Sequence, residues 1–154
     1  MNARIETASL GRSLADIWDQ ELERNALGEA MLGAKMPAWL KPEHFFPTQH
    51  RRIYEAVQSV GGNPAKVNAW LRDSAPKYAP QIASAAELAA MCEEAHFAWR
   101  MGWEIDFKRL RELAAQRRLI EAMRRVEIQL RSETLETDGA RAMLLAACDE
   151  ELPF

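Results

Sequence analysis

The sequence predicts an all-α protein, a compact helical head followed by a long helical hairpin. Ala, Leu, Glu and Arg, all strong helix formers, fill most windows of the chain. β-Branched residues are scattered and never alternate with polar ones over the length of a strand. Apolar residues instead recur at three- and four-residue steps, in segments separated by Pro and Gly. At 154 residues the chain has the length of one domain and can bury a core of ordinary size.

The spacing predicts a first helix over residues 14–34, with Leu14, Ile17, Trp18, Leu22, Ala26, Leu27, Ala30 and Met31 on one face. Gly28 interrupts good helix formers at a cost of ~1 kcal/mol relative to Ala, which points to close approach by another element. Pro37, Pro42 and Pro47 break regularity over 35–47, where Trp39, Leu40, Phe45 and Phe46 are expected to plug a core. A second helix is expected over 48–60, with Ile53, Ala56, Val57 and Val60 inward, ending at Gly61-Gly62. A short third helix, 65–73, carries Val67, Trp70 and Leu71. Pro76 and Pro80 bracket a loop.

Ser84 with Glu87 has capping-box spacing and opens a helix bearing Leu88, Met91, Cys92 and Ala95. Trp99, Met101, Trp103, Ile105 and Phe107 form an apolar junction around Gly102, and their helical spacing places the tryptophans in the core. The longest helix, 105–131, contains no Gly or Pro. It carries one stripe of Leu119, Met123, Val126 and Leu130 and a second of Phe107, Leu110, Leu113 and Ile120. Thr137-Asp138-Gly139 reads as a break. Ala140, Met143, Leu144 and Ala147 then form a last short helix that completes an αα-hairpin. The expected organisation is an N-terminal tail (1–13), a head (14–104), a hairpin (105–148) and an acidic tip (149–154).

Composition narrows the classes of function. The chain is 48% hydrophobic and 28% charged, as in globular proteins, and no apolar stretch approaches the ~20 residues that span a bilayer. Met1-Asn2-Ala3-Arg4-Ile5-Glu6 has no secretory pattern, so a cytoplasmic location is expected. Cys92 and Cys148 lie far apart and read as buried thiols in a reducing compartment. Net charge is −3, with no global sign of a nucleic-acid binder. Locally, residues 106–131 hold eight Lys/Arg against four Asp/Glu, and residues 132–154 hold six acids against Arg141 alone. Such opposite runs favour pairing with one another, within a chain or between subunits.

No catalytic constellation stands out, and no enzyme activity, cofactor or metal is expected. The phosphate-cradling pattern G-x-x-x-x-G-K-[ST] is missing. The segment Gly61-Gly62-Asn63-Pro64-Ala65-Lys66 lacks both a preceding strand and a Ser/Thr after the Lys. His44 and His50, with Glu43 nearby, lack the further ligands that zinc needs and read as packing and capping residues, as does His96. Glu93-Glu94 and Asp149-Glu150-Glu151 read as solvated helix ends, without a buried base or nucleophile beside them.

Two segments resemble known families. The run from Glu23 through Asn25, Leu27-Gly28 and Met31-Leu32 looks like the first helix of the N-terminal domain of DnaB-type replicative helicases. Residues 40–56 are more specific. That family's pattern is Leu-x-Pro-Glu-Asp-Phe-Tyr, a His four residues on, then Ile-[FY]-x-Ala. The chain keeps Pro42, Glu43, Phe45, His50, Ile53, Tyr54 and Ala56, and departs at His44 and Phe46. Gly62-x-Pro64 with Val67 and Leu71, and the basic Arg117-Arg118-Leu119-Ile120, agree more loosely. Residues 73–104 depart most, Trp99 and Trp103 above all. The resemblance spans about 20–150. It implies that the kept residues define a fold and carry no chemistry. It also implies a collar module, without its ATPase motor, whose hairpins pair and which docks primase.

Residues Asp149, Glu150, Glu151, Leu152, Pro153 and Phe154 resemble the acidic tip of bacterial single-stranded-DNA-binding proteins. Phe154 would fill an apolar pocket of a protein that binds such tips, while the acids steer its approach. The expected function is a stand-alone, non-catalytic replication adaptor that docks on a replicative helicase, a primase or both. It would act as a loader, recruiter or inhibitor, for instance one encoded by a phage. The expected interface is Leu119, Met123, Val126, Leu130, Met143 and Leu144. Two alternatives are a self-assembling collar fragment, as homodimer or higher oligomer, and a single-stranded-DNA-binding accessory protein that uses the basic helix and tryptophan stacking.

Overall fold

The computed structural model describes residues 17–74, 82–133 and 135–149. Among these residues the chain is all-helical and contains no strand. The helices are α1 Gln20–Met31, α2 Thr48–Val60, α3 Pro64–Ser74, α4 Ala85–Arg100, α5 Phe107–Arg131 and α6 Thr137–Asp149, with a 3₁₀ turn at Pro42–His44. The described chain divides into two units. One is Asp19–Leu110; the other is the stretch from Arg111 onward together with Ile17 and Trp18. No described helix is long and apolar enough to cross a membrane.

The first helix is shorter than its apolar spacing predicts. Asp19 is extended and its side chain accepts the Leu22 N–H at 3.0 Å, so the helix starts at Gln20 and leaves Ile17 and Trp18 outside it. An aspartate at this position satisfies one of the orphan N–H groups of the first turn. The periodicity continues upstream of the cap, which is why spacing alone overshoots. At the other end Leu32 caps the helix and Gly33 takes a φ of +89°, a left-handed conformation that suits glycine.

In the first unit, α1, α2 and α4 supply most of the core, with α3 packed on α2 and α4. Leu27, Met31, Phe45, Ile53, Val67, Leu71, Leu88 and Met91 are all buried there, together with Leu110 at the start of α5. Gly28 faces α4: a Cβ at this position would stand 2.1 Å from the Met91 carbonyl oxygen and 2.7 Å from Ala95 Cβ. The close approach expected from Gly28 is therefore made by α4. At the rim of the same pair, Arg24 Nε and a terminal nitrogen donate to the two Glu94 oxygens at 2.8 and 2.9 Å.

The proline-rich stretch is held by polar contacts. Leu40 and Phe45 are buried, and Phe45 packs on Tyr54 with ring centroids 5.1 Å apart. Beneath them lies Glu23, only 1% exposed. One of its oxygens accepts the Phe46 N–H at 2.8 Å and the other accepts from His50 Nδ1 at 2.6 Å. His44 Nδ1 accepts the Lys41 N–H at 2.9 Å, and Arg51 Nε donates to the Phe45 carbonyl at 2.8 Å. His50 and His44 thus work inside the fold, as packing and capping residues.

Ser84 and Glu87 form the expected capping box at the start of α4. Near the end of the described chain the expected break is displaced. The helix ends at Arg131, Ser132 and Glu133 turn, the latter with φ 56°, and Thr137 and Gly139 already lie in α6. Gly139 leaves room for the Leu135 side chain, which a Cβ there would meet at 2.7 Å. In this unit Arg117, buried, donates to the Ile17 carbonyl at 2.6 Å. The cysteines differ: Cys92 is buried, which pushes its thiol above the usual range, whereas Cys148 is exposed, against the expectation that both are buried.

Two substitutions test this packing through the midpoint of urea denaturation. Glu23→Ala strands the Phe46 N–H and His50 in the interior and is expected to cost about 3–5 kcal/mol, the range for breaking a buried polar pair. Gly28→Ala drives a methyl into the α4 backbone and is expected to cost about 1–3 kcal/mol, despite its better helix propensity.

Candidate docking surface

The stripe expected to form an interface on α5 and α6 does not project as a unit. Val126 is buried, Leu119, Met143 and Leu144 are half-buried, and only Met123 and Leu130 are exposed. Ile128 and Leu145, not part of that stripe, are exposed as well. Ala140 is buried and Ala147 half-buried, in keeping with the apolar face expected of α6. Arg118, Glu121, Ala122 and Arg125 of α5 line a shallow groove with Met143 and Ala147 of α6. Of the acidic tip, Asp149 ends α6, and Glu150, Glu151, Leu152, Pro153 and Phe154 lie outside the described residues.

A denser apolar surface lies at the end of α4, where the sequence places core tryptophans. Trp99 is 68% exposed and Trp103 54%, and Phe97 and Met101 are exposed beside them. The cause is how the helix stops. Gly102, at φ +73°, donates its N–H to the Trp99 carbonyl, and Trp103 donates to the Ala98 carbonyl. This is the Schellman closure, in which the residue after the left-handed glycine folds back on the last helical turn. Trp103 accordingly meets Phe97 edge to face at 5.9 Å. Chain reversal therefore turns the indole outward along the helix instead of continuing the inward stripe of Leu88, Met91, Cys92 and Ala95. A Gly after an apolar helical run was the available signal, and helical spacing carried past the cap misled.

Trp99 joins the turn through its carbonyl, and its indole has a different neighbour. His96 stacks against it with centroids 5.9 Å apart and planes 23° apart. Together with Glu29 of α1 and Leu32 at its C-cap, the two rings border a groove of about 460 Å³, floored by Gly33 and Ala95. The floor is open because Gly33 has no side chain and α1 ends there. Leu32 is exposed, so the walls are apolar on both sides. Burial pushes the Glu29 carboxyl above the usual carboxylate range. Among the described residues its carboxylate has no hydrogen-bond or ion-pair partner.

No group of three or more His, Cys, Asp or Glu is placed to hold a metal ion among the described residues. No known protein family, curated protein or solved structure matches the chain.

The Glu29 environment has a pH signature. Its carboxyl holds a proton more tightly folded than unfolded, so it subtracts stability as pH rises through the unfolded and then the folded range. Glu29→Gln removes that loss. The variant should have a higher denaturation midpoint than the parent at neutral pH, and the two should converge in acid, below the unfolded carboxyl's range. Trp99→Ala should change stability by no more than about 0.5 kcal/mol, as at an ordinary surface site.

Proposed function

We propose that this chain is a non-catalytic docking module of DNA replication that binds a replicative helicase or primase. The observation that carries the docking part is the quantity of large apolar side chain left at the surface. Leu32, Phe97, Trp99, Met101 and Trp103 are exposed in the first unit, and Met123, Ile128, Leu130 and Leu145 in the second. Contiguous exposed apolar groups on a globular protein mark interaction sites, because their contact with water is relieved by a partner.

The choice of partner rests on the resemblance of residues 40–56 to the collar of DnaB-type helicases. It is supported by the work these residues do in the fold. Phe45, Ile53, Tyr54 and Ala56 are buried, and His50 is fastened to Glu23. Self-assembly is a second reading, favoured by the exposed Ile128, Met123, Leu130 and Leu145 on consecutive helices of one unit. Single-stranded DNA is disfavoured at the tryptophans. From Glu93 to Asp106 the chain holds four acids and one arginine, a balance that repels phosphate.

Affinity capture with purified helicase and primase tests the reading. Retention of one of them at micromolar concentration is expected, and failure to retain either overturns it. Light scattering of the free chain separates a monomeric adaptor from a self-assembling collar.

A further inference from the structure

Given the docking reading above, we propose that the groove between Leu32 and Trp99 holds an arginine side chain presented by an apolar segment of a partner protein, with the Glu29 carboxylate as its counter-ion. Three features of the groove select this occupant. Its walls are an aliphatic and an aromatic side chain, surfaces that take the methylene stem of a long cation. His96 stacks on Trp99, yet the indole remains two-thirds exposed, so it still offers a π surface to a guanidinium. Glu29 supplies an acceptor pair that nothing in the described fold uses, in surroundings that already disfavour its solvation.

Arginine fits these features better than lysine. Its planar fork can donate to both oxygens of a carboxylate while the same plane lies on an indole, and it is less strongly hydrated than an ammonium group. The surrounding sequence adds charge complementarity. Glu93, Glu104 and Asp106 flank the patch in the chain against Arg100 and, next to Ala34, Lys35, and Glu94 is engaged by Arg24. An apolar segment that carries arginine is drawn to such a surface, and the phosphates of a nucleic acid are not. Phe97, Met101 and Trp103 continue the apolar surface next to the groove in sequence and give the flanking apolar residues of the partner a place to rest.

The test uses the full chain and labelled amphipathic helical peptides of equal length and equal leucine content, read by fluorescence anisotropy. One peptide carries arginine on its polar face, one lysine and one glutamate. The arginine peptide is expected to bind at least several-fold tighter than the lysine peptide, and the glutamate peptide not measurably. Trp99→Ala and Glu29→Gln are each expected to weaken the arginine peptide about tenfold, equivalent to about 1.4 kcal/mol. Glu136→Gln, which removes an equal charge from an exposed site in the other unit, should leave it unchanged.

Equal binding of the three peptides overturns the proposal, as does equal binding of arginine and lysine. So does a loss on Glu29→Gln no larger than that on Glu136→Gln. Concentration-dependent self-association abolished by Trp99→Ala would assign the groove to a second copy and overturn the partner assignment. The helicase and primase captures are read separately: peptide binding with neither captured would retain the arginine site and remove the replication partner.

Discussion

Removing a carboxylate from water costs several kcal/mol unless its oxygens are re-satisfied, and Glu23 is almost wholly buried. Both oxygens are used, one by the Phe46 N–H and one by His50. The first contact fixes the end of an irregular, proline-broken loop; the second fixes the first turn of α2. A single side chain on α1 thereby sets where the next helix begins and in which direction the intervening chain runs. Phe45 can then sit at zero exposure against Tyr54, because the residue after it is tied down and its own carbonyl is held by Arg51. The apolar core fills a frame that this polar clasp defines.

The second constraint is distance. At Gly28 the backbones of α1 and α4 come so close that no other residue fits, and Ala95 on the facing helix is small as well. Arg24 and Glu94 bridge the same two helices at the surface, where such a pair contributes up to about 1 kcal/mol. Close packing of these helices also determines what the ends of α1 and α4 can present. Leu32 and Trp99 lie on either side of one groove because the helices that carry them are in backbone contact one to two turns earlier.

Much of the fold is legible in the sequence where a local rule has a local cause. Gly61 stops α2, Ser84 and Glu87 start α4, and Gly28 marks the tight crossing; each of these is visible as a residue type at a spacing. Helical ends set by less conspicuous groups are not. Asp19 starts the first described helix at Gln20 and leaves Ile17 and Trp18 outside it, and a left-handed Glu133 moves the expected break upstream. The Glu23–His50 contact spans 27 positions and involves two polar residues that no periodicity singles out. The exposed aromatic surface was obscured for a different reason. Tryptophan at helical spacing ordinarily packs inward; the Gly102 closure reverses that sense for Trp103, and Trp99 lies beside the open end of α1. On α5, the stripe that spacing marks out divides by burial: Val126 is buried, Leu119 is half-buried, and Met123 and Leu130 are exposed.

Gly62 gives the groove a dependence on a residue outside its lining. Any side chain at Gly62 would run into the Ala30 carbonyl at 2.5 Å and the Gly33 amide at 2.8 Å. Gly33 is part of the groove floor. The turn between α2 and α3 is therefore seated directly behind the recess, and bulk added there would be transmitted to the recess through the main chain. Divergence at position 62 would reshape the recess while every residue that lines it stayed the same.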